Sequence, residues 1–288
     1  MSPDEDALLN GIAADPAADL PRLVYADWLE EHGQDLRAEF IRVQCEIAKL
    51  EVGPRDVIDR NVHLWRRQQE LIDRHMGELL EGVPYRVGHK LGIWPRYVRG
   101  FIDELRLDQN EFDESGDAIA TLRPLPSTVA VRADADQFDL LNRASDAARS
   151  TVTELELYGE FEPNLHNYLS NTTTWTRVRM LTAVARVVTV QDLLNLMQRL
   201  MPSLTSVNLA NYSIDDSDII DLLNAGVLQR LSHISLIENA IGDQAAIELA
   251  DRLGSSKNLK ELDLRRNGIT TVGQAALLAR LGSKVILF

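Results

Sequence analysis

The chain has 288 residues, 45% of them hydrophobic, and its 44 acidic against 30 basic side chains leave a formal net charge of −14. That length sustains a large buried core and one or two domains, while no apolar run approaches the ~20 residues a membrane-spanning helix needs. The acidic surplus opposes phosphate backbones, so nucleic acid is not an expected partner, and the single Cys45 excludes an internal disulfide framework and any multi-cysteine zinc site.

The opening Met1-Ser2-Pro3-Asp4-Glu5-Asp6 is acidic where a secretory leader carries basic residues followed by an apolar stretch. The expected compartment is therefore the cytoplasm. Ser2, Pro3 and Glu5 read as a helix start, with Ser as cap and Pro in the first turn. Leu8, Leu9 and Ile12 supply the apolar side, and Asp15-Pro16 breaks the helix. A second helix is predicted over Leu20 to Glu31, with Leu23, Val24 and Trp28 inward and a stop at His32-Gly33. A third, Asp35 to Leu50, carries an apolar stripe of Leu36, Phe40, Val43, Ile47 and Leu50. Its second, weaker face holds Ala38, Ile41, Cys45 and Ala48, so this helix should be central and Cys45 a small core residue. Residues 1–51 concentrate the acidity, with 12 acidic and 4 basic side chains.

The run Pro21-Arg22-Leu23-Val24-Tyr25-Ala26-Asp27-Trp28-Leu29-Glu30-Glu31-His32-Gly33, followed by Arg37-Ala38-Glu39-Phe40-Ile41-Arg42, resembles the bacterial repeat-companion domain. That family is a short helical module found ahead of repeat arrays, very often leucine-rich ones. The resemblance implies a helical domain over 1–51 with repeats behind it, and it implies no activity. Arg99-Gly100-Phe101-Ile102-Asp103-Glu104-Leu105 is similar to the start of the repeat region in such proteins.

Residues 52–101 are expected to be a long helix and a basic linker capping the repeats. Ile58, Val62, Trp65, Ile72, Met76 and Leu79 set the helix stripe over 56–81. Residues 84–101 interleave cations with aromatics and contain no acid. Arg86, Lys90, Trp94, Arg96 and Arg99 are the candidates for docking this segment onto the acidic helical domain. The competing use of such a segment is stacking on single-stranded nucleic acid.

From residue 102 onward one pattern recurs. Leu259-Lys260-Glu261-Leu262-Asp263-Leu264-Arg265-Arg266-Asn267-Gly268-Ile269 and Leu231-Ser232-His233-Ile234-Ser235-Leu236-Ile237-Glu238-Asn239-Ala240-Ile241 share apolar first, fourth, sixth and eleventh positions and Asn at the ninth. This is the leucine-rich-repeat pattern. A short strand alternates its side chains, and the Asn then turns the chain by bonding otherwise unpaired backbone. Weaker copies start at 102, 126, 152, 175 and 204, giving about seven units over 102–288, degenerate in 102–203. An irregular α/β segment with strands at this spacing is the alternative upstream. Return helices are predicted at Asp215–Leu223, Asp243–Leu253 and Val272–Leu281, and a strand-plus-helix unit resembles the ribonuclease-inhibitor type of repeat. The expected fold class is thus α/β, a solenoid of inner parallel strands and outer helices behind a small α-helical domain.

The six histidines show no metal-ligand spacing, and there is no glycine-rich phosphate loop. The acids of Asp215-Asp216-Ser217-Asp218 are accounted for by helix capping. No catalytic residue, metal or cofactor is expected, and the predicted role is that of a non-enzymatic protein-interaction module. An acidic inhibitor or regulatory subunit of a basic enzyme, a nuclease or a protease, is the alternative. The partner-binding candidates are the outward strand residues Glu154, Glu156, Tyr158, Arg177, Arg179, Leu181, His233, Ile237, Glu261, Asp263 and Arg265. The final Lys284-Val285-Ile286-Leu287-Phe288 either folds Val285, Ile286 and Phe288 inward to close the last unit or offers an edge for weak dimerisation. A continuation of the natural protein beyond it is a third arrangement.

Overall fold

The computed structural model describes residues 2–50, 61–79, 95–134, 143–158, 174–183 and 189–288. The chain is a mixed α/β protein in two units, residues 1–107 with 114–129, and residues 108–113 with 130–288.

The first unit opens with three helices, α1 (Pro3–Ala14), α2 (Leu20–Glu31) and α3 (Asp35–Leu50). Ser2 caps α1, its hydroxyl accepting from the Glu5 amide at 3.1 Å, and α2 ends at His32 before a left-handed Gly33 (φ 76°). In α3 both apolar faces are used. Ala38, Ile41 and Cys45 join Leu9, Ile12, Tyr25, Ala26 and Leu29 in one core. Phe40 on the other face packs with Leu71 and Leu79 of α4 (Val62–Leu79). The inward face of α2 differs from the expected one. Arg22, Tyr25, Ala26 and Leu29 are buried, Leu23 and Trp28 are half-buried, and Val24 is 45% exposed. Hydrophobicity alone misplaced this face, because Arg22 goes inward: its guanidinium lies over the Phe101 ring and its Nη1 donates to the Ala18 carbonyl at 2.7 Å. In α4 Leu71, which the expected stripe omitted, is buried at 2% exposure, whereas Val62 is 52% exposed. Ile58 lies outside the described residues.

A hairpin is added to these helices. Strand β1 (Arg96–Val98) pairs antiparallel with β2 (Phe101–Asp108). Its two-residue loop, Arg99-Gly100, has positive φ at both positions, the pattern that matches strand twist in tight hairpins. Phe101 is 4% exposed in the same core as Tyr25 and Ile41, and Tyr97 meets Phe40 edge-on at 5.1 Å.

The second unit contains β3 from Ala130 onward (strand Thr128–Asp134), β4 (Glu154–Tyr158), β5 (Met180–Ala183), β6 (Ser206–Asn208), β7 (His233–Ser235), β8 (Glu261–Asp263) and β9 (Val285–Ile286). Each pairs in parallel with the next. Helices α8 (Asp216–Asn224), α9 (Asp243–Leu253) and α10 (Thr271–Leu281) connect β6 to β9. Upstream in this unit, α6 (Asp146–Arg149) and α7 (Val190–Asn195) are shorter returns, whereas α5 (Gln109–Thr121), 13 residues long, falls mostly in the first unit. One buried row crosses the strands in register: Val131, Leu155, Leu181, Val207, Ile234, Leu262 and Val285. Phe288, just after β9, is 88% exposed, which corrects the expectation that it turns inward, while Val285 at 9% does turn in.

Backbone groups repeat with equal regularity. The carbonyl of Arg179 accepts the amides of Thr205 and Ser206, that of Thr205 accepts Ser232 and His233, and that of Ser232 accepts Lys260 and Glu261. After β6, β7 and β8 the chain turns through a left-handed residue, Asn211, Glu238 and Arg266 respectively. Asn239 then bridges two turns. Its Oδ1 accepts the amides of Tyr212 and Ile214, both at 3.0 Å, and its Nδ2 donates to the carbonyls of Leu209 and Ile237. Asn267 repeats this one unit later, with Ile241, Leu236 and Leu264. Asp215 and Asp218 form a capping box on α8, as the sequence suggested for these acids. At the start of α9, Asp243 reaches across to α10, accepting from the Thr270 hydroxyl and from the amides of Thr270 and Gly273. These hydrogen bonds, the Thr270 hydroxyl foremost, hold the Asp243 carboxyl below its ordinary value.

Candidate functional site

Because side chains alternate along a strand, the rows flanking the buried one face outward. The first outward row runs Glu154, Met180, Ser206, His233, Glu261, with Ala130, itself buried, in line with it, and the second runs Arg132, Glu156, Thr182, Asn208, Ser235, Asp263, Ile286. Neighbours along a row sit one strand spacing apart, about 4.8 Å. The result is a patterned face of carboxylates, an imidazole, hydroxyls and amides.

Most of the residues predicted for this face lie on it. Glu154, Glu156 and Tyr158 are half-buried on β4, and His233 and Glu261 are exposed on β7 and β8. Ile237, half-buried, and Arg265, exposed, follow their strands by two residues. Arg132 stacks its guanidinium 4.1 Å from the centre of the Tyr158 ring, and the Tyr158 hydroxyl lies 3.2 Å from Glu156 Oε2. With Arg132 exposed and Tyr158 half-buried, such a cation–π pair is worth about 0.5–1 kcal/mol, and it favours one orientation of the Tyr158 ring at the face.

Leu181 is a correction. It is fully buried, in register with Leu155 and Val207. The expected frame began at Trp175, but the strand core is Leu181 and Ala183, which puts Val178 at the first position. Met180 and Thr182 are therefore the outward residues of β5, Thr182 only 7% exposed. A signal for this was present: with Val178 as the start, the spacings to Val152 and to Leu204 are both 26 residues. Arg177 and Arg179 consequently precede β5 instead of lying on it. Arg177 is half-buried, and burial and then Arg179 lower its guanidinium pKa.

Asp263 is a second correction. It belongs to the outward row yet is 4% exposed, because its carboxylate is occupied locally: it accepts from the Arg265 amide at 3.1 Å and from the Arg265 guanidinium at 2.7 Å. Asn208 makes the equivalent turn to the Ala210 amide. Both side chains end strands, and Asp263 offers little surface to a ligand.

At the opposite end of the chain, Arg99 Nε donates to Asp19 Oδ1 at 2.8 Å, and Arg96 pairs with Asp103 and Glu104 of its own hairpin. Arg86, Lys90 and Trp94 lie outside the described residues. Cys45 is buried, and burial pushes its thiol up to about 11, far from the range of a nucleophilic thiolate. Among the described residues no group of three His, Cys, Asp or Glu side chains could hold a metal ion, and no helix is long and apolar enough to cross a membrane. No protein-family model matches the chain, and no curated protein matches it in sequence.

Proposed function

We propose that residues 102–288 form a leucine-rich-repeat solenoid of the ribonuclease-inhibitor type behind a repeat-companion-like helical module, and that the protein is a non-enzymatic module binding another protein through its outward strand face. The observation that carries this reading is the pair of outward rows, which sets chemically varied side chains at a fixed pitch on a supported sheet. Interfaces draw most of their energy from a few aromatic and arginine anchors held in place by neighbours, and Tyr158 with Arg132 is such a pair.

The test is a photo-crosslinking residue introduced at His233, with the same residue at Asp221 on the helix side as the control. In extract of the native host, a discrete partner should be captured from position 233 and lost from position 221. Tyr158→Ala should then reduce that capture by about tenfold, as expected for a hot-spot aromatic. Equal capture from both positions, or capture indifferent to Tyr158→Ala, overturns the reading. The acidity of residues 1–51 supports a second reading, an inhibitor of a basic nuclease or protease. Capture surviving only at low salt favours it, because screening removes long-range attraction.

A further inference from the structure

We propose that the first unit binds a purine base, free or as its uncharged nucleoside, in a cavity between α3, α4 and β1. The cavity holds about 260 Å³. That is below the roughly 300–1,000 Å³ of sites for drug-sized ligands, and it suits a single fused ring system. Its polar wall is a pair of carboxamides. Gln44 is 5% exposed on α3, where every other buried residue is apolar. Its Nε2 donates to Gln68 Oε1 on α4 at 2.9 Å, and among the described residues neither side chain makes another hydrogen bond. Both line the cavity, so the Gln44 oxygen and the Gln68 amide hydrogens are left to whatever enters it. A buried carboxamide needs its acceptor and its donors met, and packing alone would be served better by Leu or Met at this position. The aromatic wall is Trp65 and Tyr97. Trp65 is half-buried, and among the described residues its indole N–H has no partner. The Tyr97 ring is fixed by its edge-on contact with Phe40.

These two walls narrow the ligand. A carboxamide acceptor and donor together match the amine and ring nitrogen of adenine, and aromatic side chains give a base a face to stack on. Charge argues against phosphorylated forms. The two arginines lining the cavity are already paired within the chain, Arg96 with Asp103 and Glu104 and Arg99 with Asp19. Residues 1–51, which include α3, carry 12 acidic against 4 basic side chains, a field that repels phosphate. An aliphatic ligand would leave the Gln44 oxygen unpaired, at the cost of its desolvation. A neutral heterocycle with a donor next to an acceptor suits both walls. The site shares no residue with the outward strand face.

Equilibrium dialysis of the full chain against adenine, adenosine and AMP tests the assignment. Adenine and adenosine should bind with dissociation constants of about 10–100 μM, as expected for a ligand of this size, and AMP should bind more weakly than adenosine. Gln44→Met keeps the side-chain length and removes the amide, so it should weaken adenosine binding about tenfold. Gln69→Ala, at an exposed position of α4 outside the cavity, should leave binding unchanged. No binding of adenine or adenosine up to about 1 mM, binding indifferent to Gln44→Met, or AMP bound as tightly as adenosine each overturns the proposal. Should Gln44→Met fail to fold, Trp65→Leu decides: loss of the stacking face should weaken adenosine about tenfold, and unchanged binding overturns the proposal.

Discussion

Asn239 shows how one side chain is made to serve two turns. Its amide carries an acceptor and two donors, all of them directed at backbone of the two turns, which needs partners wherever it is buried. Ala at this position would remove the partner of the Tyr212 and Ile214 amides and of the Leu209 carbonyl at a half-buried site, while the Ile237 carbonyl keeps the Asn211 amide at 2.9 Å. Each such group costs about 1–3 kcal/mol if water does not reach it. Partial hydration of the turn brings the expected loss for Asn239→Ala to about 2–4 kcal/mol, read as a lower urea midpoint. Asn239→Asp keeps the acceptor and loses the donors, so its midpoint should fall between those of wild type and Ala. Where this position is vacant, Tyr212 shows the compensation: it is fully buried, and its amide is satisfied from the next unit by Asn239 itself. A cost below 1 kcal/mol would mean that the bridge is decorative.

Among the elements, the β1–β2 hairpin is the most constrained by a single residue. Gly100 sits at φ 87°, and a Cβ there would lie 2.7 Å from the Ile41 Cα. Left-handed backbone with a side chain costs about 1–2 kcal/mol, and overpacking adds about 1–3. Gly100→Ala should therefore destabilise by roughly 2–5 kcal/mol, with amide exchange accelerated over α1–α3 and little altered in β6–β8. Uniform acceleration would count against separate cores. What could be read at this scale from sequence alone followed the strength of the local signal. The bounds of α2, α3 and α9 were legible from apolar residues at helical spacing and, for α2, from the stop at His32-Gly33, although neither α2 nor α9 has a side-chain cap. The buried face of α2 was not, since an arginine lying over Phe101 depends on a partner far along the chain. Nor was the register of β5, where Trp175 competes with Val178 for the first position and a one-residue slip in a strand exchanges its faces. On the candidate face this moved Leu181 inside and brought Met180 and Thr182 out. Asp263 was placed in the correct row, but its capture by Arg265 is a side-chain event that alternation does not encode.

At the scale of the molecule, the second unit is built by neighbour contacts, so the cost of a defect should depend on where it falls. The buried row from Val131 to Val285 gives each interior residue a neighbour on both sides and Val285 a neighbour on one. Stability in such an array is close to a sum of units and the interfaces between them. Val207 and Val285 allow a comparison at constant chemistry, at 1% and 9% exposure. Removing two methyl groups from Val207 forfeits about 1.6 kcal/mol of transfer energy. The cavity held open by Leu181 and Ile234 on either side adds to this, for a total of about 2–3 kcal/mol. Val285→Ala should cost about 1 kcal/mol, because the end strand can settle into the space and part of the site is already wet. Urea unfolding of both variants in dilute solution checks the order, and equal losses would argue against stacking by neighbours.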